Sequence, residues 1–354
     1  MNSSQEKENN NWEFINNKKI FNTEKLNTEI GRQQLFFGNH PSSIVIIKNE
    51  KIVYEYHSFM TLPQSRFDIW SCTKTFTGLA WLMFLEETRQ KTNNNKLQID
   101  LNSYVYKFLP KSFIARDKRK KKITLHHLLS MTSGIIGESH GIYGLGTDYK
   151  DGPFEFALGL CKNRNGKSLD KLSSEPGKIW DYSDAGVAIL SILFFTIAGQ
   201  NIHEYLSEKV FKPLGIKNAS WDYHGGGKFL GPYTSAHVGL HISARDLSRF
   251  GLLLLNKGQW KKEQLLPKKV INKLISKSQN LNPNYGYQTW INTNGQRWIN
   301  LPKNMFALEG YNSNRCYILP SQKLIVTRLG AGPSEWNEQI FISNIFNSLL
   351  QINA

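Results

Sequence analysis

A serine three residues ahead of a lysine is a way to activate a hydroxyl without histidine, and Ser71-Cys-Thr-Lys74 provides it. In a helix, residues i and i+3 share a face, so the Lys74 amine reaches the Ser71 oxygen. A Ser71 that opens the helix also aims its backbone N–H, one of the unpaired donors of a helix start, at developing negative charge. Nucleophile, base and half an oxyanion hole then sit within one helical turn. Four residues of this kind recur by chance, so the rest of the chain decides their weight.

Two further stretches carry matching chemistry. Trp180-Asp-Tyr182-Ser-Asp184 follows Glu175-Pro-Gly177 and precedes an apolar helix. A phenol there, beside a lysine cation, is expected to lose its proton more readily than its ordinary pKa of about 10 implies. It is then a base or a relay for the serine proton. In Ala307-Leu-Glu-Gly-Tyr-Asn312, Gly310 ends an expected strand and lets backbone approach a substrate. The next amide, on Tyr311, is the candidate second oxyanion donor.

Competing motifs lack the surroundings their chemistry needs. Gly137-Glu-Ser139-His-Gly141 spells a nucleophile elbow, which requires a strand before it and a helix after it, yet loop residues flank it on both sides. Gly166-Lys-Ser168 ends like a phosphate loop, but Cys161 occupies the first glycine position. The paired histidines, His126-His127 and His237 with His241, come without a carboxylate at ligand spacing, so neither metal nor organic cofactor is expected. Cys72 reads as a small buried residue.

The elements that must position these groups follow from periodicity. Ser43 to His57 reads as a hairpin turning at Asn49-Glu50, and a helix runs on from Cys72. A glycine-rich stretch spans Gly134 to Gly152. A long apolar helix starts near Ala185 and closes at Gly199, and a second runs from Ile202 to Phe211, stopped by Pro213. Asn314–Leu319 and Leu324–Leu329 form another hairpin, and an amphipathic helix covers about Trp336 to Leu350. Strands at both ends with helices between predict an α+β fold, an α/β sandwich. Residues 1–19 read as a polar tail and 20–350 as one catalytic domain. Its α/β part is 20–100 with 285–350, and 101–284 is mainly helical.

Composition bounds the function. The 354 residues are 40% hydrophobic and 12% aromatic, which suits a folded core. The net charge of +16 has its densest run at Arg116-Asp-Lys-Arg-Lys-Lys-Lys122. No aromatic interleaves that run, so it reads as a solvated loop, and no nucleic-acid partner is expected. No apolar run reaches the length of a membrane span, and the polar N-terminus has no signal core. Three widely spaced cysteines read as free thiols. A cytoplasmic location is the expectation, and oligomeric state stays open.

Taken in order, Ser71-x-x-Lys74, Tyr182-Ser-Asp184 and the strand ending at Gly310 resemble the serine β-lactamase and penicillin-binding-protein superfamily. The resemblance is to its class C-like branch, which includes family VIII carboxylesterases, D-amino-acid peptidases and 6-aminohexanoate-oligomer hydrolases. Ile123–Gly134, Glu175–Tyr182, Val210–Ile216 and Ile242–Leu252 extend it over roughly residues 40–350. It implies an antiparallel sheet built from both chain ends, flanked by helices, with a helical insertion. Ser71 would be the acylated nucleophile, Lys74 and Tyr182 its base pair, and the amides of Ser71 and Tyr311 the oxyanion hole. The partner implied is a small-molecule ester or amide, cleaved through an acyl-serine.

Two positions depart from the family pattern. Asp184 replaces an expected amide, and beside Lys74 it would favour the charged lysine. Glu309 stands where a strand cation is usual, so carboxylate-bearing substrates such as penicillins should be repelled. Asp184, Glu309, Gly310 and Asn312 are the expected substrate-binding residues. The same two departures leave a rival reading, a catalytically silent scaffold that kept the fold.

Overall fold

The computed structural model describes residues 12–16, 18, 20–58, 60–90, 99–109, 115–145, 152–223, 233–331 and 336–350. Most of the polar tail, 1–11 with 17 and 19, and residues 146–151 of the glycine-rich stretch lie outside the described residues.

Helix α1, Thr23–Phe37, precedes strands β1, Ser42–Lys48, and β2, Lys51–His57. These strands turn at Asn49 and Glu50, both with positive φ, the geometry of a tight hairpin whose twist matches its strands. Strand β3, Arg66–Asp68, and a 3₁₀ turn, Trp70–Cys72, lead into α2, Thr73–Gln90. Helices α3, Leu125–Leu129, α4, Pro153–Leu158, and α5, Asp184–Ala198, follow, and α5 closes on Gly199 in the left-handed conformation. Next, α6, Ile202–Leu206, runs through a π-helical turn into α7, Lys212–Leu214. The helical backbone therefore passes Pro213 and ends at Gly215, with the π-helical turn lying directly ahead of the proline.

The chain continues with β4, Ser220–Trp221, β5, Leu240–Ser243, and α8, Ala244–Leu255. A short hairpin, β6 at Gln259–Trp260 and β7 at Glu263–Gln264, precedes α9, Lys268–Leu274. Strands β8, Trp290–Ile291, β9, Phe306–Gly310, β10, Asn314–Leu319, and β11, Leu324–Gly330, then lead to α10, Glu338–Asn347.

The main sheet is antiparallel in the order β2-β1-β11-β10-β9-β8, so strands from both ends of the chain meet at the β1–β11 pair. Both faces are covered, and β1 shows why it is apolar throughout. Ile44 and Ile46 pack with Leu26, Ile30 and Phe341 of α1 and α10. Val45 and Ile47 belong to the other core, with Phe76 of α2 and Phe250 of α8. The alternation of side chains along a strand sorts the four residues into two cores. A three-stranded sheet, β3-β5-β4, sits beside the nucleophile turn.

The basic run is largely solvated, as expected, with one exception. It forms a 3₁₀ turn, Lys118–Lys122, in which Lys120 is buried and donates to the carbonyls of Leu158, 3.0 Å, and Leu169, 2.7 Å. Burial lowers its pKa to about 8. Among the described residues no single helix is long and apolar enough to cross a membrane. Helices α5 and α6–α7 reach that length only as a pair bent by 72°.

One ion cluster ties the sheet to its helical cover. Glu55 of β2 accepts two 2.6 Å hydrogen bonds from Arg245 of α8, and His57 lies 2.8 Å from the same carboxylate. Desolvation alone would raise the Glu55 pKa from 4.5, but the His57 and Arg245 hydrogen bonds overcome it and hold it at about 2. A depressed carboxyl stabilises the fold above its unfolded pKa and loses that contribution as pH falls through the folded one. Glu55→Gln is therefore expected to cost about 2 kcal/mol in urea unfolding at neutral pH. The gap from wild type should stay full above pH 4.5 and close towards pH 2.

Candidate active site

Ser71 lies in the 3₁₀ turn just ahead of α2, not inside the helix. The residue before it, Trp70, has φ +50°, a conformation an L side chain adopts at a cost of about 1–2 kcal/mol. Two contacts hold it there. Its N–H donates to Asp68 Oδ1 at 2.8 Å, and its ring meets Tyr311 edge-on at 5.3 Å.

Lys74 enters in the first turn of α2, and its ammonium is buried at a junction. It donates to Ser71 Oγ at 2.7 Å and to the His237 carbonyl at 2.9 Å, and it pairs with Asp184 at 2.6 Å. The Tyr182 ring lies 4.9 Å away. Asp184 is the first residue of α5, whose N-cap Ser183 accepts from Gly186 N–H, so the helix start itself favours the carboxylate. Burial opposes the charge on Asp184, but Lys74 and then His237 outweigh it and hold the carboxyl below its ordinary value.

Tyr182 is hydrogen-bonded to Ser71, but it is no phenolate. Burial pushes its pKa well above the ordinary 10, and Asp184 adds to that, so the expected lowering by the lysine does not occur. The Lys74 charge is already matched by Asp184. Tyr182 stacks on Trp290 at 6.0 Å and 13°, and Trp180 and Tyr285 pack around the pair.

Gly310 ends β9 directly behind the nucleophile turn. A Cβ there would sit 2.2 Å from the Ile69 carbonyl oxygen and 3.3 Å from the Cys72 nitrogen, so only glycine lets β9 and the turn approach. Ser71, Tyr182, Gly310 and Tyr311 all face the space beside this contact. These residues line a cleft of about 600 Å³ together with Glu138, Tyr143, Trp180, Trp290 and Arg315.

Glu309 corrects the sequence reading. It lines the cleft, but both its oxygens accept from Arg297, Nε at 2.9 Å; desolvation and then Glu338 push its pKa above the ordinary carboxylate value, with Arg297 and Arg315 opposing. Arg315 in turn donates to Glu338 at 2.7 Å and to the Gly310 carbonyl at 2.6 Å. Glu309 is thus half of a buried charge pair, not a bare repelling carboxylate. Asn312 is absent from the cleft lining. It occupies the turn after β9 with φ +56°, while Asn314 closes that turn by donating to the Tyr311 carbonyl at 2.8 Å. Cys72 is buried and its thiol pushed up by desolvation, which leaves it inert.

The profile of the Beta-lactamase family matches residues 42–335. The chain belongs to that family. It is 29% identical over 293 residues to Beta-lactamase-like protein 4 of Dictyostelium discoideum, an alignment spanning 72% of this chain and 48% of that protein. The chain thus spans about half the length of that curated relative. Among solved structures, EstCE1, described as a hydrolase with promiscuous acyltransferase activity, superposes with a TM-score of 0.67 at 17% identity, covering 92% and 98% of the two chains. A D-stereospecific amidohydrolase from Streptomyces gives 0.61 at 17% identity, covering 89% and 97%. These structures share the fold.

Within the family frame, four side chains of the site have no signal in the sequence. Trp290 and Arg297 form a column with Tyr182, the guanidinium lying 3.8 Å from the Trp290 ring centre. Arg315 and Glu138 complete the walls. Asp181 carries Glu138 into place. Its carboxylate accepts from the N–H groups of Gly137, 2.8 Å, and Ser139, 3.0 Å, which pins the Glu138 turn to the segment bearing Tyr182. Ser139 and Asp181 both contact His140 Nδ1, whereas a relay needs them on opposite ring nitrogens, so Gly137–Gly141 forms no triad.

Proposed function

We propose that this chain is a serine hydrolase that cleaves a small carboxylic ester or amide through an acyl-serine. One observation carries the reading: the continuous contact Ser71 Oγ to Lys74 Nζ to Asp184 carboxylate, 2.7 and 2.6 Å, on the wall of a cleft that β9 also lines. The description of EstCE1 as a hydrolase and of the Streptomyces protein as an amidohydrolase agrees with it.

The protonation states decide how the proton moves. A lysine held as an ammonium is no base, and a phenol raised well above 10 is none either. The carboxylate behind the lysine resolves this. As Ser71 Oγ attacks the carbonyl carbon, Lys74 passes one proton to Asp184 and takes the serine's proton, so the pair accepts one proton overall. The oxyanion forms between the N–H groups of Ser71 and Tyr311. When the bond to the leaving group breaks, the Tyr182 phenol protonates it and is reprotonated from Lys74. Water then attacks the ester carbonyl, and the same groups run in reverse to release the acid and restore Ser71.

The scaffold alternative drew on Asp184 and Glu309 as misfits, and both have partners that suit hydrolysis. Among the described residues the cations at and behind the cleft are engaged, Lys74 by Asp184, Arg297 by Glu309 and Arg315 by Glu338, which leaves none of these three spare for a β-lactam carboxylate.

Two outcomes are expected. Wild-type protein turns over short p-nitrophenyl esters, at least about a hundredfold faster than it turns over nitrocefin, and Ser71→Ala does neither. Equal rates on the two would contradict the charge account, and undiminished Ser71→Ala activity would contradict the mechanism. In Asp184→Asn the acceptor behind Lys74 is gone, and kcat/KM on the ester is expected to fall about a hundredfold at neutral pH with KM little changed; undiminished activity would contradict the role given to Asp184.

A further inference from the structure

We propose that Arg315 is a positioning residue for the oxyanion hole, holding and polarising the peptide that carries the Tyr311 N–H; this rests on the serine-hydrolase reading above and deepens it. An amide is one conjugated unit, so the N–H of Tyr311 shares its plane and its electrons with the carbonyl of Gly310. Arg315 Nη1 donates to that carbonyl oxygen at 2.6 Å. A cation hydrogen-bonded to a peptide oxygen draws density from the nitrogen, and the N–H on the other side becomes the stronger donor. Tyr311 lines the cleft with Ser71 and Gly310, so the polarised amide belongs to the wall where negative charge would develop.

The two candidate donors differ in what stands behind them. The Ser71 N–H belongs to the peptide of Trp70, whose carbonyl accepts from the Thr73 N–H at the head of α2. The aligned peptides of that 18-residue helix add their dipole to the turn. The Tyr311 N–H instead follows the end of β9, and a strand supplies almost no net dipole because its peptide dipoles alternate. The guanidinium takes the place of the missing helix, a full positive charge set against the far end of one peptide.

Arg315 is held in place by several partners. Its Nε donates to Glu338 of α10 at 2.7 Å, its Nη1 also donates to the Asn314 carbonyl at 2.9 Å, and the Trp336 ring centre lies 5.5 Å from its Cζ. Desolvation opposes its charge, but Glu309, Tyr317 and Glu338 outweigh that and raise its pKa. The turn beyond the peptide is fixed as well. Asn314 Nδ2 donates to the Tyr311 carbonyl at 2.8 Å, while its Oδ1 accepts from the Gly330 N–H at 2.9 Å. These bonds set the direction of the Tyr311 N–H before a substrate arrives, which is what a preorganised oxyanion donor requires.

Two substitutions separate charge from bracing: Arg315→Lys keeps a cation, and Arg315→Gln keeps a neutral donor. On a short p-nitrophenyl ester, Arg315→Gln should lose about tenfold in kcat with KM little changed, because a weakened oxyanion donor costs less than a deleted one. Arg315→Lys should recover most of that loss. A residue that only braces the fold would instead lose kcat equally in both variants, in step with melting temperature. Selective ¹⁵N-tyrosine labelling of Ser71→Ala protein reads the amide without turnover. The Tyr311 resonance, assigned by its absence in Tyr311→Phe, should move upfield when Arg315→Gln is added and stay near its place with Arg315→Lys. An unmoved resonance, an unchanged kcat in Arg315→Gln, or equal kcat losses in the two variants overturns the proposal. If no Ser71-dependent turnover is found, the hydrolase reading fails, while the ¹⁵N shift still decides whether Arg315 polarises the Tyr311 amide.

Discussion

A buried ammonium is the constraint on which the site depends. Lys74 sits 1% exposed, and taking such a charge out of water costs several kcal/mol unless partners surround it. Asp184, the His237 carbonyl and Ser71 Oγ are those partners, and they come from three separated parts of the chain. Satisfying one charge therefore fixes α2, the start of α5 and the segment before β5 relative to one another. Catalytic geometry and local stability are the same set of contacts here.

The rest of the cleft repeats the principle of matched charge. From Lys74 outward, the Tyr182 ring, the Trp290 ring and the Arg297 guanidinium form a column, with Glu309 closing its far end. Each cation faces an aromatic face and a carboxylate, so the walls are rigid and nearly neutral.

Sequence patterns revealed whatever depends on local periodicity or on motif order. The hairpin at Asn49-Glu50, the apolar helix capped by Gly199 and the β10–β11 pair were all legible, as was the order Ser71, Tyr182, Gly310. Helix α1 was missed because its buried face mixes Leu26 and Ile30 with Glu29 and Gln33, which blurs the apolar stripe. Lys120 was misread because its partners are backbone carbonyls, Leu158 and Leu169, which carry no sequence signal. Glu309 was read as a bare charge because its partner, Arg297, lies in the loop before β9, and pairing across such a turn is set by tertiary packing. The Tyr182 direction failed for the same reason: it depends on how Asp184 divides the Lys74 charge, a three-body question that residue types alone leave open.

The account stands or falls on Ser71 being a nucleophile whose activation runs through Lys74. Intact-protein mass spectrometry after treatment with a fluorophosphonate tests this most directly. The prediction is one adduct per chain, mapped to Ser71, absent in Ser71→Ala and strongly slowed in Lys74→Met. An unlabelled wild-type protein, or an adduct on Ser139 or another residue, would contradict it.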